Sequence, residues 1–178
     1  LPKALPAVLW YNPQGLHKLA YLFASEYNKI IKTVFYTSGF LFHLKSQQIL
    51  LHQPQQKNDI VSSLWSMFGE TSHKGEDGIA TFQRTIYEVL NIKLARKDIY
   101  PVYDYFNTAF DKTHYIYYAQ VPKIQSYAFA GDTLSWFTFK QTVKLAFTKQ
   151  TKQDIVVAQR VIEAQERETM HTQYISPI

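Results

Sequence analysis

Apolar side chains recur along this chain in two periods, and the switches between them mark out its elements. Residues 1–11 are apolar and punctuated by proline, and are expected to lie on the domain as an extended segment. Asn12-Pro13 then supplies a helix cap and a first-turn proline. Leu16, Leu19, Ala20, Phe23, Tyr27 and Ile30 follow at three- and four-residue spacing, which predicts an amphipathic helix over residues 14–29. From residue 31 to 44 the pattern becomes β-branched and aromatic, predicting a strand with a bulge at Ser38-Gly39. A polar turn at 45–48 returns the chain into a second strand at 49–53, and 54–59 reads as a polar loop.

The helical period resumes at 79–90, where Ile79, Phe82, Ile86 and Val89 share one face. Gly69, Gly75 and Gly78 punctuate the loop before it, and Glu76-Asp77 stand where the dipole of a helix N-terminus favours negative charge. Strands are predicted at 99–106 and at 113–121. Ile155, Ala158 and Ile162 carry a final helix beginning near Thr148, with Thr148 or Thr151 as cap and Asp154 in the first turn. Residues 172–178 read as a loose tail.

Composition narrows the class. A chain of 178 residues with 46% hydrophobic and 19% charged residues fits one globular domain. The 16% aromatic content suits a strand-rich fold. With no cysteine there is no disulfide, no thiolate chemistry and no Cys-ligated zinc, which fits a reducing compartment and leads us to expect a cytoplasmic protein. His43, His52, His73 and His114 do not fall at metal-ligand spacing. A net charge of +5 favours a polyanionic ligand, although a mildly basic protein with no such ligand is the plainer reading. The lysines are dispersed, so no specific nucleic-acid partner is expected. No stretch reaches the ~20 apolar residues that span a bilayer, and no basic start precedes an apolar run, so neither a membrane partner nor a signal peptide is expected. Phosphate-loop, nucleophile-elbow and dinucleotide fingerprints do not occur. Tyr100, Tyr103, Tyr105 and Phe106 offer rings that stack on a nucleobase, yet at strand spacing core packing is their more ordinary role.

The stretch WSMFGETSHKGEDGIATFQRTIYEVLNI, residues 65–92, resembles a Nudix box, G-x5-E-x7-R-E-U-x-E-E-x-G-U with U aliphatic. Without a gap, the pattern falls on Glu76, Arg84, Ile86, Glu88 and Ile92 with matching residue types. Glu70 stands at its first glycine, Thr85 and Val89 at two of its glutamates, and Asn91 at its last glycine. The resemblance extends over residues 32–162, through the hairpin before the box and a stretch at 131–137, with Trp136-Phe137, that is similar to the family's late strand and implies a strand there leading to a short helical turn. It implies an α/β fold, a Nudix-type α/β/α sandwich around a mixed sheet with an additional N-terminal helix. The expected division is an extension at 1–30, the Nudix-like domain at 31–165 and a tail at 166–178.

The same resemblance implies hydrolysis of a nucleoside diphosphate linked to another moiety. In that chemistry Mg2+ or Mn2+, held by box-helix glutamates, neutralises the pyrophosphate. Carried onto this chain, those glutamates fall on Thr85, Glu88 and Val89, so one carboxylate of three remains. Glu88 is therefore the expected metal ligand, and Glu88, Arg84 and Glu76 the catalytic set if activity is kept. Gly69, Glu70 and Asp132 are the expected ligand-binding residues, with a nucleotide-like phosphorylated small molecule as partner. Three readings follow. One is a Nudix-like protein whose hydrolase activity is impaired or lost, needing no cofactor. The second is an active enzyme with a metal shell rebuilt from Glu70, Glu76, Asp77 or Asp132 around Glu88. The third is an interaction module, with the terminal helices as partner or homodimer surfaces.

Overall fold

The computed structural model describes residues 34–54, 64–128 and 132–175, with side chains as far as 171. The helix predicted over 14–29 and most of the loop predicted over 54–59 lie outside these residues. Among the described residues, six strands and three helices run in the order β1 (Tyr36–His43), β2 (Gln48–Pro54), β3 (Phe68–Thr71), α1 (Gly78–Leu90), β4 (Ile99–Asn107), β5 (Lys112–Gln120), β6 (Asp132–Thr138), α2 (Phe139–Thr142) and α3 (Lys149–Ile175). A short 3-10 turn at Arg96–Asp98 leads into β4.

β1 is the axis of a mixed sheet ordered β4-β5-β1-β2-β6, with β3 also on β1. One edge of β1 pairs parallel with β5 along Tyr36–Phe42. The other edge is shared: β3 takes Tyr36–Gly39 and β2 takes Leu41–His43, both antiparallel. Side chains alternate between the two faces. Phe40 and Phe42, with Ile49, Leu51, Ile116 and Tyr118, pack with Ile155, Ala158 and Ile162 of α3. Leu41, with Leu50, Tyr117 and Ala119, packs with Phe82, Ile86 and Leu90 of α1. The result is the expected α/β/α sandwich. Burial on both faces explains why β1 and β2 read as near-continuous apolar runs.

Three expectations differ in detail. Ser38-Gly39 forms no bulge; the register of β1 is unbroken there on both edges. Gly39 meets a packing need instead, since a Cβ would stand 2.2 Å from the Tyr117 carbonyl oxygen and 2.9 Å from the Phe82 ring. The register shift falls on the edge strand β4, between Pro101 and Tyr103, where a residue without an N–H is tolerated. Asp154 lies in the second turn of α3, because Thr148 is the cap and its Oγ1 accepts from the Thr151 N–H at 3.0 Å.

The last helix also runs through residues assigned to the tail, as far as Ile175. Gln165 receives a hydrogen bond from the Tyr118 hydroxyl and Glu166 one from Gln47 at 2.7 Å, so this part is fastened to the sheet.

Substituting Gly39→Ala is expected to cost about 2–3 kcal/mol, because a backbone carbonyl cannot yield as a side chain can. Gly75→Ala, at φ +87° but with nothing within 4 Å, should cost only about 1 kcal/mol. Urea unfolding of the two variants against the parent checks that order.

Candidate functional site

The box residues are organised by one guanidinium. Arg84 of α1 reaches back over the loop that joins β3 to the helix. Its Nε donates to Glu76 Oε1 at 2.8 Å and its Nη2 to Oε2 at 3.1 Å, a bidentate fork. Nη2 also donates to the Thr71 carbonyl at 2.9 Å, tying the helix to the end of β3. Glu88, one turn on, is a looser partner at 3.4 Å and is exposed. Glu76 accepts two further hydrogen bonds, from the His73 N–H at 2.7 Å and the Thr81 hydroxyl at 3.0 Å. The Arg84 hydrogen bonds lead the effects that hold the Glu76 carboxyl down at about 2, against the opposing effect of partial burial. Reciprocally, Glu76 raises Arg84 above its ordinary value.

α1 begins and ends as its caps dictate. The Asp77 side chain accepts from the Ala80 N–H at 2.7 Å and pairs with Arg96 at 2.7 Å. Asn91 closes the helix at φ 55°, in the left-handed region. Asparagine tolerates that region, so Asn91 fills the backbone role of the glycine that the box pattern has there.

The donor set of α1 does not fit a Mg2+ site, which takes several hard oxygen ligands, chiefly carboxylates. Thr85 is buried and its hydroxyl donates to the Thr81 carbonyl at 2.9 Å, inside its own helix. Val89 packs against the buried cluster that Leu134, Trp136 and Tyr127 also flank. Only Glu88 presents a carboxylate at these positions. Among the described residues, no group of three or more His, Asp or Glu side chains is placed to hold a metal ion.

The other predicted site residues are engaged locally. Glu70 accepts from the Thr71 N–H at 3.0 Å and contributes to the field at Arg84 and Tyr36. Gly69 pairs with Ser38, and a Cβ there would stand 2.4 Å from the Tyr36 hydroxyl. Asp132 is joined to His52 at 2.8 Å, while the other ring nitrogen of His52 meets the Met67 carbonyl at 3.0 Å. That bridge ties β2 and β6 to the entrance of β3. The structure thus brings Arg84, Glu76, Glu88 and Glu70 together and gives Asp132 a different partner.

A cleft that the linear pattern does not reveal opens beside the end of β3, on the α3 face of the sheet. It encloses about 650 Å³, and Tyr36, Met67, Thr71, Tyr105, His114 and Asp154 are among its lining residues. Its residues come from five separate stretches of chain. One signal was present: Asp154 is four residues before Ala158 and eight before Ile162, an acid on the apolar stripe of its helix. Of the aromatic cluster at 100–106, Tyr105 lines this cleft, Tyr103 stacks on Tyr105, Tyr100 stacks on Tyr118, and Phe106 is exposed.

No protein-family model and no curated protein matches the sequence. Solved structures do match its fold. A mutT/nudix family protein from Listeria innocua superimposes with a TM-score of 0.59 at 16% identity, covering 74% of this chain and 94% of that one. The NUDIX domain of Shewanella oneidensis NrtR, complexed with ADP ribose, gives 0.57 at 17% identity, with 80% and 97% covered. A C. elegans Ap4A hydrolase gives 0.55 at 13%, with 72% and 98% covered. The chain has the Nudix fold. No helix of the described residues is long and apolar enough to cross a membrane.

Because the folded-state value of Glu76 lies below its unfolded one, its contribution to stability is complete above about pH 4.5 and is lost as pH falls toward 2. Glu76→Gln should therefore cost about 1–2 kcal/mol at pH 7, a charge-assisted bond discounted for solvent screening. Denaturant titrations of both proteins from pH 7 to pH 2.5 should converge at the acid end.

Proposed function

We propose that this chain is a Nudix-fold protein related to hydrolases of nucleoside diphosphates linked to another moiety, in which metal-dependent pyrophosphohydrolase activity is impaired or lost. It retains a site for a nucleotide-like phosphorylated small molecule. The observation that carries this reading is the fate of the box-helix donors: a buried threonine hydroxyl committed to its own helix, a packed valine, and one exposed glutamate. Pyrophosphate cleavage needs its charge neutralised and a water oriented, and a single carboxylate is a poor anchor for the cation that does both. Arg84 and Glu76 then act as a structural fork that keeps the box loop in its Nudix conformation after the chemistry has gone. The nucleotide class is supported by the neighbours, one complexed with ADP ribose and one an Ap4A hydrolase, and by the net charge of +5. The loop that Arg84 holds, with Gly69 and Glu70 at its entrance, is the segment proposed to meet the phosphates.

Isothermal titration of Mg2+ and Mn2+, with and without a nucleoside diphosphate sugar, tests this. Metal binding weaker than about millimolar, no turnover, and a nucleotide affinity indifferent to metal are expected. The double substitution Thr85→Glu, Val89→Glu should strengthen metal binding at least tenfold by restoring two carboxylates. Micromolar stoichiometric binding that Glu88→Gln abolishes, accompanied by hydrolysis, would sink the proposal and establish an active enzyme with an unusual metal shell.

A further inference from the structure

The positive charge of this chain is concentrated in one region. Residues 139–162 carry five cations, Lys140, Lys144, Lys149, Lys152 and Arg160, and one acid, the buried Asp154. The rest of the chain holds fourteen cations and thirteen acids, so nearly all of the net charge of +5 belongs to α2 and the first half of α3. The two helices bury the same way. Phe139 of α2 and Ile155, Ala158 and Ile162 of α3 pack into one cluster on the sheet, which turns their other sides to water. On α2 and the turn after it the outward positions are Lys140, Val143 and Lys144. On α3 they are Lys149, Lys152, Val156 and Arg160, at three- and four-residue spacing along one side of the helix. All five cations are exposed, and none is in an ion pair among the described residues. Glu163, next along the stripe, brings the first exposed carboxylate and ends it.

The side chains between the cations decide which polyanion suits this stripe. Phe139 is buried and Phe147 half-buried, so residues 139–162 offer no exposed ring on which a base could stack. The apolar side of α3 is committed to the sheet, which keeps the helix from entering the groove of a duplex. Exposed aliphatic groups stand among the charges instead. Val143 is 70% exposed between Lys140 and Lys144, and Val156 is 42% exposed between Lys152 and Arg160. A phosphate backbone gains nothing from a valine, whereas the interface of a bilayer accommodates cations and apolar groups together. We propose that this face of α2 and α3 binds the surface of an anionic bilayer, with its cations on the headgroups and Val143 and Val156 at the acyl boundary. That no described helix can cross a membrane bears on spanning alone, since resting on the surface needs no such segment. Each cation close to such a surface strengthens binding about fivefold, within a screening length of about 8 Å at physiological salt. Five cations and two valines therefore give a reversible association that salt removes. The inference does not depend on the box or on a nucleotide ligand.

Co-sedimentation of the whole chain with vesicles, without metal or nucleotide, tests this. The protein is expected to pellet with vesicles of equimolar phosphatidylcholine and phosphatidylserine at low salt, and to stay in solution with pure phosphatidylcholine. High salt should release it. The triple substitution Lys149→Gln, Lys152→Gln, Arg160→Gln is expected to weaken partitioning at least tenfold. Lys93→Gln, Lys97→Gln, Lys123→Gln removes the same charge outside the stripe and should change it by no more than about threefold. All six side chains are exposed, and thermal melts against the parent check that both variants are folded. Should the first not fold, Lys140→Gln, Lys144→Gln takes its place. Val143→Ser, Val156→Ser should weaken vesicle binding several-fold, which a purely ionic contact would not show. Equal pelleting with the two kinds of vesicle, equal losses in the stripe and control variants, or undiminished binding by the valine pair would overturn the proposal. So would tighter binding to a duplex oligonucleotide than to the anionic vesicles at the same salt, which would assign the stripe to nucleic acid. Each of those results leaves the metal and nucleotide titrations of the box unaffected.

Discussion

Every layer of this domain depends on the pairing of β1 along both of its edges. A strand buried on both faces cannot leave amide groups unpaired, since water is not there to satisfy them. β1 meets that demand with a parallel neighbour on one edge and two antiparallel neighbours sharing the other. The shared edge matters most for the site. Where β2 leaves β1, β3 takes over, so the chain entering the box is placed by backbone hydrogen bonds before any side chain is considered. Gly39 then lets the Tyr117 carbonyl and the Phe82 ring both close on the space a Cβ would fill.

The Arg84 fork is the next tier. It binds the end of β3, the loop and the helix through the Thr71 carbonyl and both oxygens of Glu76. None of these bonds needs a metal ion or a substrate. The conformation of the loop is therefore independent of the chemistry that such a loop serves elsewhere, and the box helix can exchange carboxylates for Thr85 and Val89 without losing its fold. On the helix face, apolar burial at Val89 replaces a charge that would otherwise need a cation.

Charge is distributed oppositely in the two candidate regions. Around Arg84 the carboxylate of Glu76 is paired with a guanidinium and held low; beside α3 the carboxyl of Asp154 is buried among mainly neutral partners and held high. The first arrangement stabilises a loop. The second disfavours the ionised form at that position.

The sequence by itself determined four of the six described strands and the box helix, because periods of two and of three to four residues are local properties. The sandwich and its late strand followed from the resemblance that the box spacings carry, and β3, which lies where glycines suggested only a loop, was not legible. The sequence also determined that Thr85 and Val89 bring no carboxylate. Tertiary structure decided the rest. Sequence spacing offers Arg84 both Glu76 and Glu88 as partners, but the preference for Glu76 depends on how the loop folds back. The His52 bridge to Asp132 spans 80 residues, and the cleft draws on β1, β4, β5, α3 and the approach to β3. Asn91 departs from the box pattern in residue type, yet its backbone conformation is the one a glycine would supply. Gly39 suggested a bulge and proved to be a close approach, since a missing Cβ looks the same in sequence whichever neighbour it makes room for.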